Sequence, residues 1–238
     1  MTTTSLPAEV MTTETTTCRE CGTDIEYEPI PADSSFAGRF SPSLCDECGE
    51  TRRHADEAEQ RLVMIAERNV PRRYARSTFD NFICGTPTQE RALDAMRCDA
   101  SSGVYLIGRA GCGKTHLAAA AVLSGPYGSL FVATTDMLDD IRAGFDGDGQ
   151  GLMARARTAP LLALDDLGTE SVTDWVRDRL YTLLNERWNR CLPLIVTTNC
   201  TPKVIAERIG DGAASRIAGL CARRIEIKGA DMRRQTTS

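Results

Sequence analysis

The stretch VYLIGRAGCGKT, residues 104–115, decides the fold of this 238-residue chain. Its first four residues are apolar and predict a buried strand, and the residues after Thr115 predict a helix. Between them, Gly-x4-Gly-Lys-Thr is typical of a loop whose backbone N–H groups point at phosphate oxygens, with the helix N-terminus adding partial positive charge. A chance match in a glycine-rich loop is the alternative, and the strand before and the helix after argue against it.

The loop predicts that the chain binds a nucleoside triphosphate, ATP, together with Mg²⁺. Lys114 is expected to reach the β- and γ-phosphates, and the Thr115 hydroxyl is expected to bind the metal ion. His116 comes next on the helix, where packing explains it better than chemistry. The candidate nucleotide-binding residues of this stretch are Gly108, Arg109, Ala110, Gly111, Cys112, Gly113, Lys114, Thr115 and His116.

A later apolar run, LLALDD at residues 161–166, ends in two carboxylates. The run predicts a buried strand, and in open α/β sheets ligands bind outside the carboxyl ends of the strands. We expect Asp165 to orient Mg²⁺ or its waters and Asp166 to polarise the water that attacks the γ-phosphate. A buried strand that ends in an acidic turn is common, so this interpretation depends on the phosphate loop before it.

Short apolar runs alternate with amphipathic stretches, which predicts an α/β fold with a parallel sheet and helices on both of its faces. Five runs predict strands, at residues 104–107, 130–133, 161–164, 194–198 and 225–227. The length allows one medium-sized domain and a small appendage. Composition predicts four segments: a disordered tail at 1–17, a cysteine module at 18–50, a linker helix at 51–69 and an ATPase domain at 70–238.

Four of the ten cysteines form two close pairs, Cys18-x-x-Cys21 and Cys45-x-x-Cys48, and the other six are scattered singly. Scattered thiols are typical of a reducing compartment, which disfavours two disulfides. Four thiolates give the tetrahedral sulfur cage that Zn²⁺ prefers, and a cage with no open position is structural. The sequence therefore predicts a four-cysteine zinc module, with His54 as a less favoured ligand.

Charge is divided unevenly along the chain. Residues 1–50 carry two basic and ten acidic residues, a net charge of −8, and residues 51–238 carry 26 basic and 23 acidic residues, a net charge of +3. The acidic head favours a protein partner and the basic body is compatible with nucleic acid, although two solvated surfaces explain the pattern equally well. With no apolar run of ~20 residues and no signal-peptide pattern, we expect a cytoplasmic protein with no membrane partner.

Together these motifs resemble the AAA+ ATPases, specifically the DnaC-type helicase loaders and the related IstB transposition ATPases. The resemblance covers roughly residues 68–234, and four stretches carry it: VPRRYARSTFDNF, GCGKTHLAAA, LLALDDLG and IVTTN. It implies a P-loop ATPase core. Many AAA+ proteins have Asp-Glu where this chain has Asp165-Asp166, so the resemblance implies slow hydrolysis.

The resemblance also implies roles for residues outside the two motifs. Asn199, at the end of IVTTN, matches the sensor-1 residue that positions the attacking water. Arg216 matches the arginine finger that reaches a neighbouring subunit's nucleotide, and Arg233 matches the sensor-2 arginine that contacts the phosphates. Tyr74 and Phe79 would lie near the adenine. A finger supplied by a neighbour makes hydrolysis depend on self-association.

The leading functional hypothesis is a helicase loader. It would dock on the hexameric replicative DNA helicase through the zinc module and help to place that helicase on single-stranded DNA. An IstB-like transposition helper is one alternative, and a zinc adaptor that binds ATP as a switch with little turnover is another. Arg142, Arg155 and Arg157 are candidate DNA contacts, with ordinary helix-surface charge as the slightly better explanation.

Overall fold

The computed structural model of the chain describes residues 13–30, 34, 41–142, 151–168 and 173–232, with the backbone alone at 140–142. The chain divides into two compact units, Met1–Arg61 and Leu62–Ser238. Among the residues in these ranges, no helix has both the length and the apolar content needed to cross a bilayer.

The first unit contains a two-stranded antiparallel sheet. Strand β1 (Glu14–Thr17) pairs with β2 (Asp24–Tyr27), and Tyr27 donates a hydrogen bond of 2.7 Å to the Glu14 carboxylate opposite it. Threonine favours strands because its β-branched side chain fits a pleated surface, and part of the threonine-rich segment accordingly lies in this sheet. Helix α1 (Asp46–Glu67) begins inside the second cysteine pair and continues into the second unit.

The second unit alternates strands and helices. Its helices are α2 (Pro87–Asp99), α3 (Lys114–Ser124), α4 (Thr134–Arg142), α5 (Leu152–Thr158), α6 (Asp174–Asn189), α7 (Pro202–Ile209) and α8 (Asp211–Leu220). Its strands are β3 (Val104–Gly108), β4 (Leu130–Ala133), β5 (Leu162–Asp165), β6 (Leu194–Thr198) and β7 (Arg223–Ile227), and short 3-10 turns lie at Arg72–Tyr74 and Ala100–Ser102.

The five strands form one parallel sheet in the order β4-β5-β6-β3-β7. The predicted α/β architecture, a parallel sheet flanked by helices, is therefore confirmed. Because β3 lies beside β6, and β6 beside β5, the carboxyl ends of these three strands meet at one edge of the sheet. That edge brings together the start of the phosphate loop, the acidic turn and Asn199.

Two apolar cores lie on opposite faces of the sheet, because successive strand residues point to opposite sides. Leu106 and its neighbours pack against α2 and α3, whereas Tyr105 and its neighbours pack against α4 to α8. The fully buried large side chains include Phe131, Met96, Leu117, Met137, Met153, Leu162 and Leu164.

One buried side chain was not predicted. Arg187 on α6 has no exposed surface, and its guanidinium donates hydrogen bonds to the backbone oxygens of Ala156 (2.7 Å), Ala159 (2.9 Å) and Pro193 (2.6 Å). Burial lowers the pKa of Arg187 to about 10. The side chain joins the ends of α5 and α6 to the start of β6 by satisfying carbonyl groups that would otherwise lie buried without donors.

Candidate nucleotide-binding site

The phosphate loop curls between β3 and α3 because its glycines adopt a left-handed backbone. Gly111 has φ +80° and Gly113 has φ +100°, values that side-chain-bearing residues rarely adopt. A Cβ at Gly113 would also lie 2.4 Å from a ring carbon of Phe82. The local sequence therefore forms the loop both through glycine flexibility and through the close approach of Phe82.

Lys114 is the first residue of α3, and its amine lies at the edge where β3 and β6 end. Although the residue is only 6 % exposed, its Nζ donates hydrogen bonds to Asn199 Oδ1 (2.7 Å) and to the backbone oxygens of Gly108 (2.9 Å) and Arg109 (3.1 Å). Three oxygens thus hold a buried cation beside the curled loop. This position suits an ammonium group that meets the oxygens of a bound triphosphate.

Asp165, at the end of β5, is buried next to the same edge. Thr197 on β6 donates a hydrogen bond of 2.5 Å from its hydroxyl to Asp165 Oδ1, and the Thr115 hydroxyl is a second hydrogen-bond partner. Burial raises the pKa of Asp165, and the neighbouring Asp166 carboxylate raises it further. The two hydroxyls and the Lys114 ammonium lower that pKa without cancelling the rise.

Asp166 points into the open cleft beside Asp165. Its φ of +61° is left-handed, a conformation that aspartate tolerates better than most side chains. Asn199 Nδ2 donates a hydrogen bond of 3.1 Å to Asp166 Oδ1, while the Oδ1 of the same amide accepts from Lys114. The amide therefore bridges the lysine of the loop and the second carboxylate of the acidic turn.

A cleft of about 490 Å³ opens over the loop. Its lining includes the polar side chains of Lys114, Asp166 and Asn199, and it also includes the apolar or aromatic side chains of Tyr74, Phe82, Ile83 and Met232. The size lies within the range of ligand pockets, and a lining that combines apolar with charged side chains suits a ligand that has both a base and phosphates.

Of the two aromatic residues predicted to lie near the adenine, one is among the residues that line the cleft and the other is not. Tyr74 lines the cleft, whereas Phe79 packs against the apolar core beneath α2 and α3. His116 also lines the cleft, with its ring 5.4 Å from that of Phe82 and its Nε2 3.0 Å from the Thr78 carbonyl oxygen. His116 therefore both packs against Phe82 and lines the cleft.

Sequence reasoning missed Gln89 and Thr197. Gln89, on α2, is 2 % exposed; its Nε2 donates to the Cys112 carbonyl oxygen at 3.2 Å, and its Oε1 accepts from the Gly85 N–H at 2.9 Å. The pattern Thr86-x-x-Gln89 is a capping-box signature that marks the start of α2, although nothing in it points to the loop. Thr197 sits in the quoted IVTTN stretch, where only the sheet order shows that it faces Asp165.

The predicted arginines lie apart from this cleft or outside the described ranges. Arg216 is on α8 and is not among the residues that line the cleft. Arg155 bonds to the Glu67 carbonyl oxygen, and Arg157 lies 3.7 Å from the Glu186 carboxylate. Arg233 and the side chain of Arg142 fall outside the residues that the structure describes.

The four paired cysteines come together in the first unit. The Sγ atoms of Cys18, Cys21, Cys45 and Cys48 all lie within 4.8 Å of one another, and those of Cys21 and Cys45 are 3.6 Å apart. A zinc ion ~2.3 Å from each sulfur separates the sulfurs by about 3.8 Å, so the cluster has the dimensions of a tetrahedral cage.

Electrostatics within the cluster also favours a cation. Backbone N–H groups, those of Cys21 and Cys45 first, lower the pKa of the Cys18 thiol to about 6. The neighbouring thiols, that of Cys45 first, raise the pKa of Cys48 above its ordinary value. Four thiolates at these distances repel one another, and a divalent cation removes that cost.

Comparison with known proteins identifies the family. A family model described as IstB-like ATP binding protein matches residues 87–238. The replicative helicase loader DnaI of Bacillus subtilis is 33 % identical over 105 residues, which are 42 % of this chain and 34 % of the relative. A putative ATP-binding protein in an insertion sequence of Mycobacterium tuberculosis is 36 % identical over 138 residues, 54 % of this chain and 55 % of the relative.

Solved structures share the fold. The crystal structure of the DnaC helicase loader superposes with a TM-score of 0.59 and 26 % identity, covering 66 % of this chain and 100 % of that one. Among the curated relatives, by contrast, the matched segment spans only about a third of the loader and just over half of the insertion-sequence protein.

Proposed function

Because the chain belongs to the IstB-like ATP-binding protein family, we propose that its cleft binds Mg²⁺-ATP and hydrolyses it slowly. The observation that carries this proposal is the bridge formed by Asn199 between Lys114 and Asp166, which links the phosphate loop to the acidic turn. In this proposal the Asp166 carboxylate and the Asn199 amide act on the attacking water, a task that nucleotide binding alone does not require.

Each residue at the edge of the sheet then has a separate task. Lys114 and the loop N–H groups bind the phosphates, and Thr115 and Asp165 would hold Mg²⁺, which would neutralise charge on the phosphate oxygens. Asn199 orients a water and Asp166 accepts its proton as the water attacks the γ-phosphorus and ADP leaves. We place Arg233 with Lys114 in phosphate binding, and Arg216 in the site of a neighbouring subunit.

The proposed ATPase is tested by the substitution Lys114→Ala. Loss of a buried cation that meets two phosphates removes ATP binding, so turnover with Mg²⁺-ATP falls to background. Lys203→Ala, which removes an exposed lysine from α7, is the matched control and keeps wild-type turnover. Wild-type turnover in the Lys114→Ala protein contradicts the proposal.

We further propose that the chain loads the replicative helicase. Support comes from the names of two relatives, the loader DnaI in sequence and the loader DnaC in structure. The net charge of −8 in residues 1–50 also disfavours direct contact of the cysteine module with DNA and favours a protein partner. In this proposal the module, holding Zn²⁺, docks on the helicase hexamer while the ATPase unit self-associates beside single-stranded DNA.

A pull-down with the cognate replicative helicase tests the docking step. The full chain retains the helicase, and the same chain without residues 1–61, the first unit, loses it while still binding ATP. Failure of the full chain to retain the helicase, with ATP present or absent, removes the loader proposal and leaves the ATPase proposal intact.

Transposition is the second candidate function, favoured by the 36 % identity to the insertion-sequence protein. The same pull-down with a transposase encoded beside the gene separates the two functions, since a transposition helper retains the transposase and not the helicase. The third possibility, an adaptor switched by ATP, predicts nucleotide binding without turnover. Turnover that rises when single-stranded DNA is added excludes the adaptor.

A further inference from the structure

Arg216 is held in one position by two residues of α6. Its Nε donates a hydrogen bond of 3.0 Å to Asn185 Oδ1, and its guanidinium carbon lies 5.5 Å from the centroid of the Trp188 ring. The bond uses Nε, so it does not involve the two terminal nitrogens, which are the pair that can grip a phosphate side by side. The guanidinium is thus oriented without using up its phosphate-binding atoms.

Helices α6 and α8 pack against each other through residues that face one another in pairs. A Cβ at Gly219 would lie 2.1 Å from Trp188 Cζ3, and a Cβ at Gly212 would lie 3.2 Å from Tyr181 Cε2, so each glycine makes room for an aromatic ring. Three residues on each helix, at spacings of four and three, share the facing surfaces. They are Tyr181, Asn185 and Trp188 on α6, and Gly212, Arg216 and Gly219 on α8.

A second stacking contact between an arginine and a tryptophan lies within α6 itself. Arg179 also lies 5.5 Å from a tryptophan ring, that of Trp175 one turn earlier on the same helix. The two rings are about equally exposed, at 44 % for Trp175 and 41 % for Trp188. The Trp188 pair adds to its stacking contact a hydrogen bond to the Arg216 Nε and a glycine beneath the ring, so three features converge on the Arg216 side chain.

We infer that Asn185 and Trp188 are positioning residues that present Arg216 to the nucleotide of a neighbouring copy of this chain. The inference rests on the proposed function, in which Arg216 acts in trans. A free arginine side chain loses rotamer freedom when it enters another subunit's site, and one already fixed at Nε and over a ring loses less. A displacement of about 1 Å at such a group is enough to cost about 100-fold in rate.

The test measures ATP turnover and nucleotide affinity in Arg216→Ala, Asn185→Ala and Trp188→Ala, with Trp188→Phe as the conservative variant. Turnover at saturating Mg²⁺-ATP, with an oligothymidylate present, falls about 10- to 100-fold in the two α6 alanine variants and further in Arg216→Ala. The affinity for ATP stays at the wild-type value in all of them, because none touches the chain's own cleft. Trp188→Phe recovers most of the turnover.

Trp175→Ala is the matched control, since it removes the other stacked tryptophan of α6 and keeps wild-type turnover. A mixing experiment adds a readout that depends on one subunit acting on another. Lys114→Ala subunits keep Arg216, so they restore turnover when they are mixed with Arg216→Ala subunits, whose own clefts are unchanged. Lys114→Ala subunits that also carry Asn185→Ala restore less turnover.

The outcomes distinguish failure of the positioning role of Asn185 and Trp188 from failure of the trans role of Arg216. If Arg216→Ala loses turnover while Asn185→Ala and Trp188→Ala keep it, the positioning role is wrong and the trans arginine stands. If Arg216→Ala keeps wild-type turnover, the trans arginine fails and the positioning role fails with it. Should Trp188→Ala unfold, as judged by thermal denaturation, Asn185→Ala and Trp188→Phe decide the question.

Discussion

Asp165 and Asp166 are adjacent in the chain and yet lie in different surroundings. Asp165 is 8 % exposed and bonded to the Thr197 hydroxyl, whereas Asp166 turns through a left-handed backbone into the cleft, within 3.1 Å of the Asn199 amide. The two carboxylates therefore suit different tasks, the first as a ligand for a hard cation and the second as a proton acceptor.

We predict that Asp166→Asn separates binding from chemistry. The amide keeps the size and the hydrogen bond to Asn199 but no longer accepts a proton, so turnover falls about 100-fold or more while ATP affinity changes little. Steady-state turnover and equilibrium binding of a fluorescent ATP analogue measure the two quantities. Asp178→Asn, an exposed acid on α6, is the control, and an Asp166→Asn protein with normal turnover removes the catalytic role.

Asp165 carries a pH-dependent prediction. The pKa of this carboxyl is higher in the folded state than in the unfolded chain, and burial is the largest cause of the rise. The folded protein therefore binds the proton more tightly than the unfolded chain does. This group's contribution to stability is therefore most favourable below the unfolded pKa, and it decreases as pH rises through the raised folded pKa. Affinity for Mg²⁺ changes in the opposite sense, because the metal needs the carboxylate.

The substitution Asp165→Asn should expose both effects. At neutral pH, without nucleotide, the variant unfolds at a higher denaturant concentration than wild type, since a buried charge is gone and Thr197 still has an acceptor. Mg²⁺-dependent ATP binding is lost in the same protein. Urea titrations at neutral and acidic pH measure the first effect, with the difference between the two proteins shrinking at acidic pH; a variant less stable than wild type at neutral pH contradicts the account.

At the scale of elements, the sequence predicted the features that a short local pattern specifies. The apolar runs predicted all five strands of the large sheet, and the glycine spacing predicted the curled loop between β3 and α3. The sequence also predicted that Asp165 lies at the carboxyl end of a strand, where ligands bind in open α/β sheets. Pattern alone did not give the strand order, which depends on long-range packing, and so it did not reveal that Thr197 faces Asp165.

Two buried polar residues, Arg187 and Gln89, show why contacts between distant parts of the chain were not predicted from the sequence. Arg187 reads as one charge on an amphipathic helix, and its burial depends on three carbonyl groups that α5, β6 and their loops bring to it. Gln89 reads as a helix cap, and its contact with Cys112 depends on how α2 packs against the loop. Both roles arise from contacts distant in sequence, which periodicity does not record.

Gln89 provides the prediction at this scale. Its amide joins α2 to the phosphate loop, so Gln89→Leu leaves the Gly85 N–H and the Cys112 carbonyl without their partner in a buried place. We expect a loss of about 1–3 kcal/mol in unfolding free energy and a weaker affinity for ATP, because the loop is less firmly held. Chemical denaturation and nucleotide binding measure these changes. Arg91→Leu, at an exposed position of the same helix, should alter neither, and equal losses in both variants contradict a specific role for Gln89.

At the scale of the molecule, the two compact units contain different functional groups. The second unit contains the whole parallel sheet and the cleft, and the first contains the sulfur cluster and the segment 1–50, whose net charge is −8. A small sheet of two short strands buries little apolar surface, so the first unit needs a further source of stability. A Zn²⁺ ion held by the four thiolates would supply such a source, and the fold of this unit would then depend on the metal while the fold of the second unit would not.

The final prediction concerns metal removal from the whole chain. Cys45→Ser removes one ligand from the cluster, so zinc content measured by mass spectrometry falls from one ion per chain to a small fraction of that value. Residues 13–61 then lose protection from amide hydrogen exchange, and helicase retention is lost, while ATP affinity in the second unit stays at the wild-type value. Cys191→Ser, at an exposed single cysteine, keeps the zinc and the protection. A Cys45→Ser protein that still carries one zinc ion excludes the four-cysteine site, and loss of ATP affinity in that protein excludes the independence of the two units.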